Sequence, residues 1–252
     1  MIKAKQIYQS AEELSPELVT AVLHWILSVA DSKHRIGLQF SHWVTGTPAL
    51  EGAVGAAAIT QDELGHARSL YGLLRHFPGA PEGIGAENDL QARDVYYAPD
   101  TLMERWQSWF QVIAINILLD SALQVAISHM AESSYQPLAG RIAKILQEER
   151  FHRIFGESWL KRLVRERPER KGALQQQLNW AWQITDEWLG PESDPVSNLL
   201  VEAGVLGANT AVMRQAWLTQ VTPILTANNF DIPTNNRDWG NWNPQLRQCT
   251  HA

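Results

Sequence analysis

Apolar residues recur at helical spacing through Val19, Leu23, Ile26, Ala30, Gly37 and Phe40, which marks one buried face of a long helix. Ser15-Pro16-Glu17 supplies its start, since serine can cap free N–H groups and proline suits the first helical position. This helix should end near Trp43 to Gly46. A second opens after Thr47-Pro48 and runs to about Leu74, rich in alanine and glycine where it packs closely. His76 to Tyr97 carries five glycines and prolines with scattered charge and reads as a loop. Asp100 then caps a third helix to about Ser133, and Pro137 begins a fourth that continues to roughly Arg165, before Arg167-Pro168.

Four long helices in two hairpins, joined by a longer connection, form the ferritin-like variant of the four-helix bundle. Two further helical patterns follow, about Ala173 to Leu189 and Asn198 to Leu225, separated by Gly190-Pro191. The last stretch is rich in Asn, Pro and Trp, lacks periodicity, and reads as an extended arm on a surface or as disordered chain. The expected fold is therefore all-α: a single ferritin-like domain over 1–252, with the bundle at about 15–167, C-terminal helices at about 170–226 and an extended tail at 227–252.

With 252 residues, 45% of them hydrophobic and 19% charged, the chain can bury one good core. A net charge of -6 gives no global reason to expect a nucleic-acid partner. Cys249 is the single cysteine, so no intrachain disulfide forms, which suits a reducing compartment. The N-terminus has no apolar signal region, and the apolar run Val112 to Ile127 contains Asn116, Asp120 and Gln124 and is too short for a bilayer. The expectation is a cytoplasmic protein without a membrane partner. Eleven tryptophans fit core packing within the helices, while Trp239 and Trp242 in the tail lean towards a partner interface.

Two Glu-x-x-His motifs carry the candidate chemistry. Glu63 and His66 share one helix face, and Glu149 and His152 repeat the relation on the second helix of the other hairpin. Carboxylate and imidazole ligands suit iron or manganese, and the lack of a nearby thiolate argues against an iron–sulfur or structural zinc site. Asp120 lies in the apolar stretch Ile115 to Leu123, where a carboxylate needs a cation or donor. The alternative for Asp120 is a bond to a core donor such as a Trp N–H. On the first helix, the return distance from Glu63 lands on Lys33, with Asp31 and His34 beside it as backup ligands. Three carboxylates plus a lysine ammonium balance one divalent ion, and balance two only if the lysine loses its proton or another acid replaces it.

The chain resembles the phenylacetyl-CoA epoxidase family, the phenylacetic acid catabolic proteins. The pieces that carry the resemblance are Trp43-Val44-Thr45-Gly46-Thr47-Pro48-Ala49-Leu50, Gln61-Asp62-Glu63-Leu64-Gly65-His66, Leu119-Asp120, Ser134-Tyr135-Gln136-Pro137, Glu148-Glu149-Arg150-Phe151-His152 and Leu189-Gly190-Pro191. The resemblance implies iron ligands at Glu63, His66, Asp120, Glu149 and His152, with Lys33 where the family's sixth ligand, a glutamate, would stand. It also implies oxygen insertion into acyl-CoA thioesters, electrons from a reductase, a related ferritin-like partner protein and an oligomeric assembly.

Two functional readings follow. In the first, the chain is an oxygen-activating oxygenase using a di-iron centre, one iron or manganese, with Lys33 as the catalytic proton donor or as the occupant of one metal position. In the second, it is a metal-poor scaffold subunit in which Lys33 pairs with Asp120 and Glu149. Lesser candidates are the basic segment Lys161-Arg162-Leu163-Val164-Arg165-Glu166-Arg167, as a CoA-phosphate site or a solvated helix end, and Trp106, Trp109 and Phe110, as a substrate channel or core packing.

Overall fold

A computed structural model describes residues 6–84, 93, 95–234 and 237–250; the remainder of the loop expected over 76–97 lies outside them. The first hairpin is α1 (Pro16–Trp43) and α2 (Leu50–Leu74). Ser15 caps α1 by accepting a hydrogen bond from Leu18 N–H, and Pro16 begins it, as the pattern predicts. Gly37 sets the approach of the two helices. A Cβ there would lie 3.0 Å from the Cβ of Glu63, so the missing side chain lets α2 bring Glu63 against α1.

The third rod departs from the expected continuous helix. Asp100 opens only a single 3-10 turn, Asp100–Leu102, and the helix proper starts at Trp109, capped by a reciprocal box between Ser108 and Gln111. Gln39 on α1 explains the gap. Its amide donates to the carbonyls of Leu102 (3.1 Å) and Glu104 (2.7 Å), and its oxygen accepts from Trp106 N–H (3.1 Å), which holds this segment extended against α1. The rod then runs as α3 (Trp109–Ile115), one π-helical turn (Asn116–Asp120) and α4 (Ser121–Ser128), ending short of Ser133. α5 (Gln136–Glu166) returns along the bundle with Pro137 in its first turn.

Trp109–Ser128 spans 20 residues at mean hydropathy 1.7, long and apolar enough by those measures to cross a membrane, which corrects the shorter run read from sequence. In this fold 83% of its most apolar window is buried, so its composition is accounted for by the bundle core.

Beyond the bundle, α6 (Lys171–Leu189) packs against α3 and the π turn. The final helical pattern, expected as one helix, is two: α7 (Pro195–Glu202) and α8 (Thr210–Ala227). Gly204, at φ +70°, breaks it, and Asn209 caps the new start by accepting from Val212 N–H. The tail lies back along α6, closing in a short hairpin of β1 (Trp242–Asn243) and β2 (Gln248–Cys249).

Arg247 anchors that tail. It is 1% exposed and donates to the carbonyls of Trp188 (2.8 Å) and Leu189 and to Asp194 Oδ2 (2.8 Å). The guanidinium thereby satisfies carbonyls that α6 leaves open at its C-terminus. Its carbon also sits 4.6 Å from the ring centroid of Trp25 on α1, tying the tail to the bundle. Trp242 is engaged within the chain: its indole N–H donates to Glu187 O (3.0 Å), and its ring fills the space a Cβ on Gly190 would need.

Replacing Arg247 with Ala removes the cation from buried Asp194 and reopens the α6 carbonyls. The expected loss is about 3–5 kcal/mol of unfolding free energy by chemical denaturation. A wild-type midpoint would contradict the anchoring role.

Candidate metal centre

The four rods meet at one level of the core. α1 supplies Lys33, α2 supplies Glu63 and His66, the π turn supplies Asp120, and α5 supplies Glu149 and His152; none is more than 2% exposed. The Lys33 ammonium lies 3.1 Å from Glu63 Oε1 and donates to Asp120 Oδ1 and Glu149 Oε1. It therefore touches one carboxylate from each of the other three rods. Burial disfavours the ammonium, but the charges of Asp120, Glu149 and Glu63 outweigh it and hold the pKa well above the ordinary lysine value. Three carboxylates around Nζ favour the ammonium form of Lys33, and in that form its nitrogen has no lone pair to offer a metal.

The carboxylates respond unequally. Burial and the charge of Asp120 push the Glu63 carboxyl up to about 7, against the pull of Lys33. Burial also acts to raise Asp120, but Lys33 and His152 overcome it and hold that carboxyl below its usual range.

Both histidines turn Nδ1 inward. His66 Nδ1 lies 3.2 Å from Glu149 Oε1, and His152 Nδ1 lies 3.3 Å from both Glu63 Oε1 and Asp120 Oδ2. None of these contacts is aligned as a hydrogen bond, and Glu63 Oε2 also lacks a partner. The outer nitrogens are held by half-buried carboxylates: His66 Nε2 meets Glu148 Oε2 at 2.8 Å and His152 Nε2 meets Asp62 Oδ2 at 3.3 Å. A carboxylate behind each imidazole is how metal-binding histidines are oriented. With no ion present, burial lowers both imidazole pKa values but the acidic neighbours win. His66 is raised, and contacts with Asp120, Asp62 and Glu63 push His152 up to about 12.

Local irregularities place these groups. The π turn ends on Asp120, and Asn116 at its start donates Nδ2 to Asp120 Oδ2 at 3.2 Å. Such a turn adds a residue to one helical turn and re-aims the side chains after it, a feature frequent at functional sites. Gly156 on α5 makes room, because a Cβ there would collide with Asn116 Oδ1.

A divalent metal fits this donor set. Glu63, Asp120, Glu149 and His152 each offer a ligand atom within 4.8 Å of the others, and the inward Nδ1 atoms, Glu63 Oε2 and Asn116 Oδ1 are among the buried polar atoms left without a hydrogen bond. Three carboxylates against one ammonium leave two negative charges, which one divalent ion balances. A second ion would have to be balanced by the half-buried outer carboxylates Glu148 and Asp62 and would share the centre with the Lys33 ammonium. The inner cluster by itself is matched to one ion.

Other sequence candidates fall elsewhere. Asp31 accepts from Tyr71 O–H (2.5 Å), from Arg93 and from Tyr97 N–H (2.7 Å), so it fastens the long connection to α1 and is absent from the ligand cluster. His34 is buried with its ring edge-on to Tyr71, and burial with the charges of Arg35 and Arg93 lowers its pKa to about 4. Trp106 and Trp109 are buried in edge-to-face contact with Phe40, Phe155 and Trp159. Asp62, Glu148 and Asn116 were not singled out as site residues. The first two flank the motif residues, and their signal is position beside an inward histidine partner on the facing helix.

A family model described as phenylacetic acid catabolic protein matches residues 5–251. One component protein of the 1,2-phenylacetyl-CoA epoxidase of Escherichia coli (strain K12) is 24% identical over 212 residues, covering 83% of this chain and 83% of the relative. A second component of the same enzyme is 29% identical over 160 residues, covering 62% of this chain and 50% of that relative.

Lys33→Met leaves three buried carboxylates without their shared cation. In chelator-treated buffer the variant should lose about 3–5 kcal/mol of unfolding free energy. Wild-type stability there would contradict the buried ion cluster.

Proposed function

This chain belongs to the phenylacetic acid catabolic protein family, and from that premise we propose that it is the metal-binding subunit of a multicomponent, oxygen-activating oxygenase acting on an acyl-CoA thioester, with a single iron in place of a pair. One observation carries the reading: Lys33 occupies a cation position among Glu63, Asp120 and Glu149, while both histidines, backed by Glu148 and Asp62, still face the same centre. The relatives are two subunits of one epoxidase, which supports a related subunit as partner in a multi-subunit assembly; a reductase as electron donor is part of the proposal.

Bound iron would be held by Glu63, Asp120, Glu149 and His152, with His66 adjacent, and would supply the one-electron chemistry that dioxygen requires. The chain's own residues set the conditions. Lys33 holds a proton at Nζ in the centre and can donate hydrogen bonds to developing negative charge there. Glu148 and Asp62 fix the imidazole rings. Phe40 on α1 and Phe155 on α5, tilted against each other with centroids 6.3 Å apart, add an apolar contact beyond Lys33 and His152.

The second reading, a metal-free companion subunit, is favoured by the fact that the Lys33 ammonium alone already contacts all three carboxylates. Iron content after anaerobic loading and gel filtration separates the two. Wild type should retain one iron per chain, and Lys33→Glu, which restores a fourth carboxylate, should approach two. No iron in wild type would establish the companion reading, and two in wild type would overturn the role given to Lys33.

A further inference from the structure

The rod that carries Asp120 is gripped from outside the bundle where it leaves the α form. Trp217, near the middle of α8, is fully buried. Its indole N–H donates to the Leu118 carbonyl (3.0 Å) and lies 3.1 Å from the Ser121 hydroxyl oxygen. That hydroxyl in turn reaches the carbonyls of Ile117 (2.6 Å) and Leu118 (2.8 Å). Leu118 O also accepts from the backbone N–H of Ser121, three residues on instead of the usual four. In a regular α-helix the ladder occupies each carbonyl, and a side chain from a neighbouring helix enters where that ladder is broken. A tryptophan N–H is one partner the sequence allows for Asp120; the donor is present, on the backbone two residues before it.

Burial alone does not demand this bond. The indole N–H groups of Trp25, Trp106, Trp109 and Trp188 are buried with no acceptor among the described residues, so the protein tolerates that cost elsewhere. Trp217 is also fixed in place: its ring lies against Trp182 of α6, with centroids 4.6 Å apart, and α8 packs on α4. Two helices outside the bundle thus hold one indole on the π turn.

Asp120 ends that turn and faces the centre. Its Oδ1 accepts from Lys33 Nζ, its Oδ2 accepts from Asn116 Nδ2 (3.2 Å), and His152 Nδ1 lies 3.3 Å from Oδ2. The extra residue of the π turn lets the rod make both contacts, Asp120 with the centre and Leu118 and Ser121 with α8. Reverting the turn to α form takes that residue out of it, and one residue is about 100° of helix rotation. One of the two contacts would then swing away.

We propose that Trp217 is a positioning residue for the metal centre. Its indole N–H, with Ser121, holds the π turn, and the π turn holds Asp120 against Lys33 and in the ligand cluster with Glu63, Glu149 and His152. The helices that follow the bundle therefore act on the centre itself. The effect on iron rests on the metal-binding reading, whereas the placing of Asp120 belongs equally to the metal-free protein.

Trp217→Phe keeps an aromatic ring against Trp182 and removes the N–H. Trp182→Phe is the control, since it thins the same aromatic pair and leaves the hydrogen bond. The metal-free crystal structure of Trp217→Phe should show the turn at 116–120 relaxed towards α-helix and Asp120 withdrawn from Lys33, while that of Trp182→Phe should keep both features. Ferrous iron affinity of the full chain, measured by competition with a chromophoric chelator, should fall about tenfold or more in Trp217→Phe, as for other groups that act through a ligand. Trp182→Phe should bind iron as wild type does. Ser121→Ala, a smaller change, should move both readings in the same direction as Trp217→Phe, and it decides the matter if that variant does not fold. An unchanged π turn and Lys33–Asp120 contact overturns the proposal, as does a relaxed turn that costs no affinity. Equal loss of affinity in Trp217→Phe and Trp182→Phe overturns it too, because packing alone would then explain the loss. If wild type binds no iron, the metal-binding reading falls, and the metal-free structures alone decide the role of Trp217.

Discussion

The ammonium of Lys33, enclosed by carboxylates from the three other rods, is the interaction on which the rest of this bundle depends. A buried cation and three buried anions are each costly alone, and only their mutual contact makes the level tolerable. Because each partner comes from a different rod, a slide of any helix by one residue would strand a charge in the apolar core. The cluster therefore fixes helix register as well as the character of the site.

The surrounding structure serves that contact. Gly37 and Gly156 remove side chains where α2 and the π turn must come close, and the π turn delivers Asp120 with Asn116 bonded to it. Two residues before Lys33, Asp31 gathers Tyr71, Arg93 and Tyr97, so the long connection is fastened to the same helix at the same height. On the far side Phe40, Phe155, Trp109 and Trp159 pack together in tilted and edge-to-face pairs.

Much of this was legible in the sequence because it follows from spacing. The Glu-x-x-His pairs, the caps at Ser15 and the Pro137 turn, and the inward register of Lys33 all depend on helical periodicity and on local chemistry. What was not legible depends on contacts between distant segments. Asp100 looks like a helix cap, but Gln39, far back in the chain, holds the segment extended until Ser108. The π turn has no composition signal, since Asn116 to Asp120 reads as ordinary apolar helix. The break between α7 and α8 is written only as Gly204 and Gly207 inside an otherwise apolar run. Arg247 in a Trp- and Asn-rich tail reads as a surface residue, and only the open carbonyls at the end of α6 reveal its place.

The resemblance read from the sequence implies an iron pair, and the Lys33 ammonium in the centre is the observation behind the proposal of a single ion instead. The most direct measurement is anomalous diffraction at the iron edge from crystals of the protein loaded anaerobically with ferrous iron. The account predicts one peak, within coordinating distance of His152, Glu63, Asp120 and Glu149, with the Lys33 ammonium still in density against the carboxylates. Two peaks bridged by carboxylates, with Lys33 swung out of the core, would contradict it.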